Sequence, residues 1–282
     1  MFSSDQILKI EKEISSKVDG KTLFDEFSRG RYSTDASVYQ IKPIGVVLPK
    51  DTNDVLNVME YSQKNSIPLL ARGGGSSQCG QTVGESLVLD YSRHQNKILD
   101  LNVDEKSVWV EPGVVLDHLN AYLKPYGLWF PVDVSTSSRA TIGGMSANNS
   151  CGSRSLYYGN MVHNVLAIET ILDDGSIHTF DEIQKNYLAQ KNNQDRLYKI
   201  IDKFIDLRQR VGAEIDENWP TTQRRVGGYN IDLIDPNGFN SSNILVGSEG
   251  TLSLFNKIKL KLSEIPKNKI LGVCYFDNFH QA

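Results

Sequence analysis

The sequence predicts an α+β fold in two lobes, and three features carry that expectation. Residues 45–71 read strand, helix, strand, the unit of a small parallel or mixed sheet. From residue 87 onward, short strands with turn punctuation replace that texture, as in a larger mixed or antiparallel sheet with flanking helices. Three glycine-rich turns, around residues 73, 143 and 247, follow predicted strands.

The first stretch reads as a helix capped by Ser4, with Ile7, Leu8, Ile10, Ile14 and Val18 as its apolar stripe. The polar, irregular "FSRGRYSTDASVYQIKP" follows. "GVVLPK" is then a strand, "DTNDVLNVMEYSQKNS" an amphipathic helix and "IPLLA" a second strand. Beyond the first glycines, "LVLDYS" and "KSVWVEP" are strands. "VVLDHLNAYLKPYG" is a helix with Leu116, Leu119 and Leu123 on one face and Gly127 past its end. "HNVLAIETILDDGSIHTF" is a hairpin with Asp174-Gly175 at its tip. In "LFNKIKLKL", Ile258, Leu260 and Leu262 face one way and Lys257, Lys259 and Lys261 the other. "NKILGVCYFDNFHQA" reads as a fresh strand and the first turn of a helix, so the chain is expected to be a fragment cut as another domain begins. The expected divisions are a helical extension (1–42), two subdomains (43–92 and 93–265) and the start of a further domain (266–282).

Composition narrows the function classes. A formal net charge of -4 provides no basic footprint for nucleic acid. No apolar run can span a bilayer and the N-terminus lacks the order of a signal peptide, so membrane association is expected to be peripheral at most. The cysteines Cys79, Cys151 and Cys274 are odd in number and widely spaced. They fit neither a disulfide framework nor a zinc cluster, and they suit the reducing cytoplasm.

The chemistry is expected in the glycine-rich stretches. A strand feeds into Gly73, Gly74, Gly75, Ser76 and Ser77, a loop able to turn successive N–H groups toward one point as a nest for phosphate oxygens. A dinucleotide fingerprint would need Gly at Gln78 and a helix afterwards, and a P-loop would need Gly-Lys-Ser/Thr; both are absent. A flexible turn is the plain alternative. Residues 131–160 hold Gly143, Gly144, Gly152 and Gly159 among many small hydroxyl residues, which suits a groove around a polar, extended ligand or else a surface loop. "NILVGSEGTLSLF" reads as strand, turn and strand, and alone is a hairpin. One long ligand touching all three stretches would explain them together.

Taken in order, "RGGGSSQCGQTVG", "LVLDYSR", "VEPGVVLDHLN", "PVDVSTSSRATIGGMSANNSCGSRSLYYGNMVHNV", "ETILDDG", "GGYNIDLI" and "GSEGTL" resemble the PCMH-type FAD-binding domain of the vanillyl-alcohol-oxidase superfamily. The likeness runs from about residue 43 to residue 265 and is greatest to FAD-linked D-lactate, glycolate and D-2-hydroxyglutarate dehydrogenases. "NNSCGSRSLYYG" with "TDASVYQIKPIGVVLP" is most similar to the long members fused to a cap domain and an iron–sulfur region. The resemblance implies that Gly73, Gly74, Gly75, Ser76 and Ser77 wrap the FAD pyrophosphate, with Gln81 and Thr82 close by. Pro131, Ser135, Thr141, Gly143, Gly144, Asn149, Gly152 and Ser153 would line the groove for the ribityl chain and the isoalloxazine. Tyr158 and Gly159 would close that groove, Val165 would approach the adenine, and Glu249 with Gly250 would complete the wall. Relatives that tether FAD carry His where Ser76 stands, and the second tethering Cys would fall near Ser137, so non-covalent FAD is implied.

By the same resemblance, a small-molecule D-2-hydroxy acid passes hydride to the flavin, and a quinone or an iron–sulfur domain takes the electrons. An iron–sulfur cluster is thus implied for a C-terminal region outside this sequence. No metal site is expected within it. No catalytic residue is named, because the family's base and carboxylate-binding groups lie in the cap. His163 is the only histidine near the presumed ring, and Arg224 and Arg225 face either the active site or solvent and the missing domain. A non-catalytic FAD-binding subunit of a multi-protein oxidase complex is the alternative from a different class. A sugar-lactone or alcohol oxidase of the same superfamily is the alternative among enzymes, against which the missing His tether and "NNSCG" both count.

Overall fold

A computed structural model of the chain describes residues 2–184, 195–222, 224–268 and 270–282. The small lobe opens with α1 (Ser4–Ser15), and its cap is Ser3 rather than Ser4. Ser3 and Gln6 stand three apart and close a reciprocal capping box, which Ser4 with Ile7 cannot do. After β1 (Lys21–Leu23) and α2 (Glu26–Arg31) come β2 (Gly45–Leu48), α3 (Thr52–Asn65), β3 (Leu69–Arg72) and β4 (Leu87–Asp90). The side chain of Asp51 caps α3, and Ser66 ends it in the left-handed region. The sheet runs β1-β2-β4-β3, with β4 parallel to both its neighbours and β1 antiparallel to β2, a mixed sheet as the strand–helix–strand pattern predicts. Ile10 and Ile14 of α1 share one core with Val55 and Val58 of α3 and with Leu87 and Leu89 of β4.

The large lobe is built on an antiparallel sheet of β5 (Ile98–Asn102), β6 (Ser107–Val110), β8 (Val165–Ile171), β9 (Ile177–Phe180) and β12 (Leu254–Lys261), in the order β5-β6-β12-β8-β9. The β8–β9 hairpin turns at Gly175 with φ +81, as its Asp-Gly tip predicts. Ile258, Leu260 and Leu262 are buried in the core while Lys261 is exposed, so the alternation in β12 reads out as expected. The helix α4 (Leu116–Leu123) buries its leucine face and ends through one 3-10 turn at Gly127, φ +69. The short β7 (Leu128–Trp129) pairs with β13 (Ser263–Glu264), and β10 (Glu182–Gln184) with β11 (Gly238–Asn240).

Four segments depart from the sequence expectation. The stretch 131–160 is not a bare loop: it contains α5 (Ile142–Asn148) and α6 (Ser155–Tyr158), and α7 (Met161–Asn164) follows at once. A 23-residue helix, α8 (Arg196–Asn218), buries Ile201 and Ile205 in the large core, with Leu197, Ile200 and Phe204 packed against it, and buries Ile215 farther along. "NILV" is no strand but the end of a short helix, α9 (Ser242–Leu245), begun by Asn240, whose side-chain oxygen accepts from both the N–H and the hydroxyl of Ser242. A short apolar run leaves helix and strand undecided until its flanks are known. Finally, the described residues of 268–282 form no strand, because no neighbouring strand pairs with them.

Candidate functional site

The two cores meet at a cleft of about 440 Å³. Ala71 and Tyr91 come to its walls from the small lobe, and Pro112, Met145 and Phe255 from the large one. The three glycine-rich stretches converge on it.

The first of them leaves β3 and answers why glycines stand in a row. A Cβ on Gly73 would lie 2.0 Å from Thr141 Oγ1, and one on Gly74 would lie 2.2 Å from the Arg139 carbonyl oxygen. Gly75 has φ +63, a left-handed conformation that side chains disfavour. Close approach and backbone shape thus both require glycine. The N–H groups of Gly74, Gly75, Ser76, Ser77 and Gln78 donate to nothing among the described residues, and all five residues line the cleft. Successive unpaired amides at one concave wall are suited to an anion with several acceptor oxygens.

The second stretch forms the facing wall. Thr141 caps α5, accepting at Oγ1 from the Gly144 N–H at 3.4 Å. Gly143 packs on Pro112, where a Cβ would come within 2.6 Å of the proline Cβ. The third stretch crosses the mouth. Glu249, left-handed at φ +52, accepts at Oε1 from Gln81 Nε2 at 3.2 Å and from Asn148 Nδ2 at 2.8 Å, so one carboxylate joins all three loops.

Gly73, Gly74, Gly75, Ser76, Ser77, Gln81, Thr82, Ser135, Thr141, Gly143, Gly144, Glu249 and Gly250 all line the cleft. Pro131, Asn149, Gly152, Ser153, Tyr158, Gly159 and Val165 stand outside the lining, and most support it instead. Asn149 is fully buried and left-handed, and its Oδ1 accepts from the Val162 N–H at 3.0 Å. Gly152 lets the chain pass against Asp133, whose carbonyl oxygen lies 1.9 Å from where a Cβ would sit. Ser153 donates to the Asp133 carboxylate, while the ring of Tyr158 meets Trp129 edge-on and Val165 begins β8.

The candidates for direct chemistry are engaged elsewhere. His163 accepts at Nδ1 from the Asn160 N–H at 3.0 Å, and partial burial followed by the charge of Arg225 holds its pKa below 6.5. Arg225 makes a two-pronged pair with Asp232 and stacks on Trp219, and Arg224 donates to the Gly152 carbonyl. Among the described residues, no three His, Cys, Asp or Glu side chains cluster to hold a metal ion, and no helix is long and apolar enough to cross a membrane.

Among the lining residues outside the expected set, Tyr91 and Ser253 are distinguished by their hydroxyls. The hydroxyls of Tyr91 and Ser253 are buried at the cleft and lack a hydrogen-bond partner among the described residues, and burial pushes the Tyr91 phenol up. Tyr91 stands directly after β4 and Ser253 just past Glu249. Such positions flag proximity to the loops, but an unpaired hydroxyl is visible only in three dimensions.

A mixed-sheet lobe and an antiparallel lobe, with glycine loops meeting in a cleft between them, define a two-lobed α+β domain adapted to a phosphate-bearing ligand. Residues 43–181 match the family described as the FAD binding domain. D-2-hydroxyglutarate dehydrogenase of Escherichia coli (strain K12) is 34% identical over 273 residues, an alignment covering 93% of this chain and 26% of that protein. Glycolate oxidase subunit GlcD of Bacillus subtilis (strain 168) is 28% identical, covering 98% of this chain and 49% of the other. A solved alkyldihydroxyacetonephosphate synthase shares the fold, with TM-score 0.64 and 18% identity over 95% of this chain and 42% of its own. The chain thus spans a quarter to a half of the length of the proteins it matches.

Proposed function

We propose that this chain holds FAD, non-covalently, in the interlobe cleft and is the flavin-binding part of a dehydrogenase that oxidises a D-2-hydroxy acid. The observation that carries the reading is the run of unpaired amides from Gly74 to Gln78 on the cleft wall, facing Ser135 and Thr141. The family match and the names of the relatives supply the flavin and the substrate class. When bound, the flavin supplies a two-electron acceptor for the hydride on the substrate's hydroxyl-bearing carbon.

The residues of the chain bind and orient that group. The amides of the first loop, with the Ser76 and Ser77 hydroxyls, take the diphosphate, and Ser135, Thr141 and Gly144 take the polar linker. Gly143 and Gly152 permit the close packing behind that wall. Ser76, where a His tether would stand, leaves the cofactor exchangeable. No proton transfer is assigned to His163, whose Nδ1 is occupied. The domain boundaries at residues 43, 92 and 265, a cytoplasmic location, and a quinone or iron–sulfur electron acceptor complete the proposal. The glycolate oxidase subunit, matched over 98% of this chain, favours a second reading as an FAD-holding subunit of a larger oxidase.

The test is the visible spectrum of the purified chain after reconstitution with FAD and desalting, repeated after acid precipitation. Flavin bands that survive desalting and move to the acid supernatant are expected. Colour held in the pellet would overturn the non-covalent assignment, and no retained flavin would overturn the FAD assignment for this chain.

A further inference from the structure

The first glycine loop carries few side chains with which to fix itself, so whatever holds its amides in place must come from another segment. The structure supplies one: residues 32–41, which bond to the loop and contribute nothing to the cleft lining. The Thr82 hydroxyl donates to Asp35 Oδ2 at 2.9 Å, and the Ala36 N–H donates to the Gly75 carbonyl at 3.2 Å. Tyr39 lies against Gly80, where a Cβ would come within 2.5 Å of the ring. The segment is itself pinned, because Tyr32 donates its hydroxyl to Asp90 at the end of β4 at 2.6 Å and Thr34 bridges to Gln40.

Arg72 sits between segment and loop. Its Nη1 donates to the carbonyls of Tyr32 at 3.3 Å and Thr82 at 2.9 Å, and its Nη2 to that of Thr34 at 2.8 Å, while the guanidinium lies 5.3 Å from the centre of the Tyr32 ring. Among the described residues Arg72 is the one cation in the cleft lining, yet these donors point to backbone carbonyls. Asp35 is similarly committed. Burial alone would raise its pKa, and hydrogen bonds from Ser37 and Thr82 outweigh that and lower it.

We propose that Asp35 and Arg72 are positioning residues: through residues 32–41 they hold the amides of Gly74 to Gln78 in their ligand-binding arrangement before the ligand arrives. The inference deepens the FAD reading and rests on it for the identity of the ligand. Order imposed in advance removes an ordering cost at binding, so its loss appears as weaker affinity with little change in the rest of the fold. A Lys at position 72 could not serve three carbonyls in the plane that the guanidinium fork reaches.

The test uses the whole chain in three arms. FAD affinity is measured by fluorescence titration for the wild type, Asp35→Ala, Thr82→Val and the double variant, with Thr82→Ser as the conservative rescue. Backbone order parameters of residues 74–78 are measured on the ligand-free protein, together with its melting temperature. The expected result is a Kd raised about tenfold or more in each single variant, since the bond lost is to a charged acceptor. The double variant should be little worse than Asp35→Ala alone, because that variant already removes the bond from Thr82 along with that from Ser37. Order parameters should fall from the rigid value of about 0.85 toward below 0.6 in the loop alone, and Thr82→Ser should restore both readouts. Unchanged affinity with unchanged loop order would overturn the proposal, as would a Kd that rises only in step with a falling melting temperature. If the wild type takes up no FAD, the functional reading fails by itself, and the order parameters still decide whether this segment fixes the loop.

Discussion

The first glycine loop and the segment that backs the wall opposite it are fixed by different means. Residues 73–80 include four glycines, and their order comes from a segment some forty positions earlier in the chain and from Arg72 at their root. Residues 149–164 carry their own ties. Asn149 Oδ1 accepts from the Val162 N–H, while Asn164 Nδ2 donates to the carbonyls of Tyr158 and Asn160, and all three asparagines are buried. A wall held from outside can be loosened without unfolding the lobe behind it. A wall held by its own buried amides cannot, because each of those bonds also closes the large core. The first loop is therefore where affinity is adjusted, and the second is where stability resides.

The sharpest check on that division is Asn149→Ala. It strands the buried Val162 N–H and leaves alanine in a left-handed conformation, for a combined loss of about 2–4 kcal/mol. Chemical denaturation of the ligand-free chain measures it. A loss of stability much smaller than the loss of FAD affinity would break the comparison, since Asn149 would then act on the ligand and not on the fold.

Gly74→Ala tests the seam between the two walls and is expected to cost somewhat less, about 1–3 kcal/mol, as overpacking does. The new Cβ would meet the Arg139 carbonyl, which is backbone and cannot swing aside, so the loops must part and FAD binding should fall below detection. Gly227→Ala is the control, because nothing lies within 4 Å of its added Cβ. Equal behaviour of the two variants in denaturation and titration would show that the seam is looser than its distances imply.

Much of this arrangement is legible in the sequence, and the parts that are not share a cause. The strand–helix–strand unit, the Asp-Gly hairpin and the alternation in β12 are local patterns whose period reports burial directly. The glycine loops are legible for the same reason, because three consecutive glycines need a backbone explanation. The helix α8 sets Leu197, Ile200, Ile201, Phe204 and Ile205 on the large core at helical spacing, a stripe that is present in the sequence, whereas α9 is a four-residue element decided by Asn240 outside it. Asn149 and Gly152 sit in the expected motif but support the wall from behind, a distinction that motif order does not encode. The commitments of Arg72 to Tyr32 and Thr34, and the unpaired hydroxyls of Tyr91 and Ser253, are relations between distant segments with no periodic trace.

The smallest expected effect belongs to His163, and it tests whether the second loop is held by neutral groups. The Asn160 N–H points at Nδ1, so the folded state favours the ring with its proton on Nε2, and partial burial with the Arg225 charge lowers the pKa below 6.5. The unfolded chain then binds more protons than the folded one as pH falls through 6.5. Stability is accordingly greatest above that value and declines below it, levelling off once pH passes beneath the folded pKa. The ring is exposed on one side, so solvent keeps the effect small. Melting curves of the wild type and His163→Gln between pH 8 and 5 isolate it, with the difference between the two proteins expected to change below pH 6.5 and to stay flat above. A difference that is constant across the range would mean that the histidine titrates alike in both states, and that the tie at Asn160 does not depend on its neutral form.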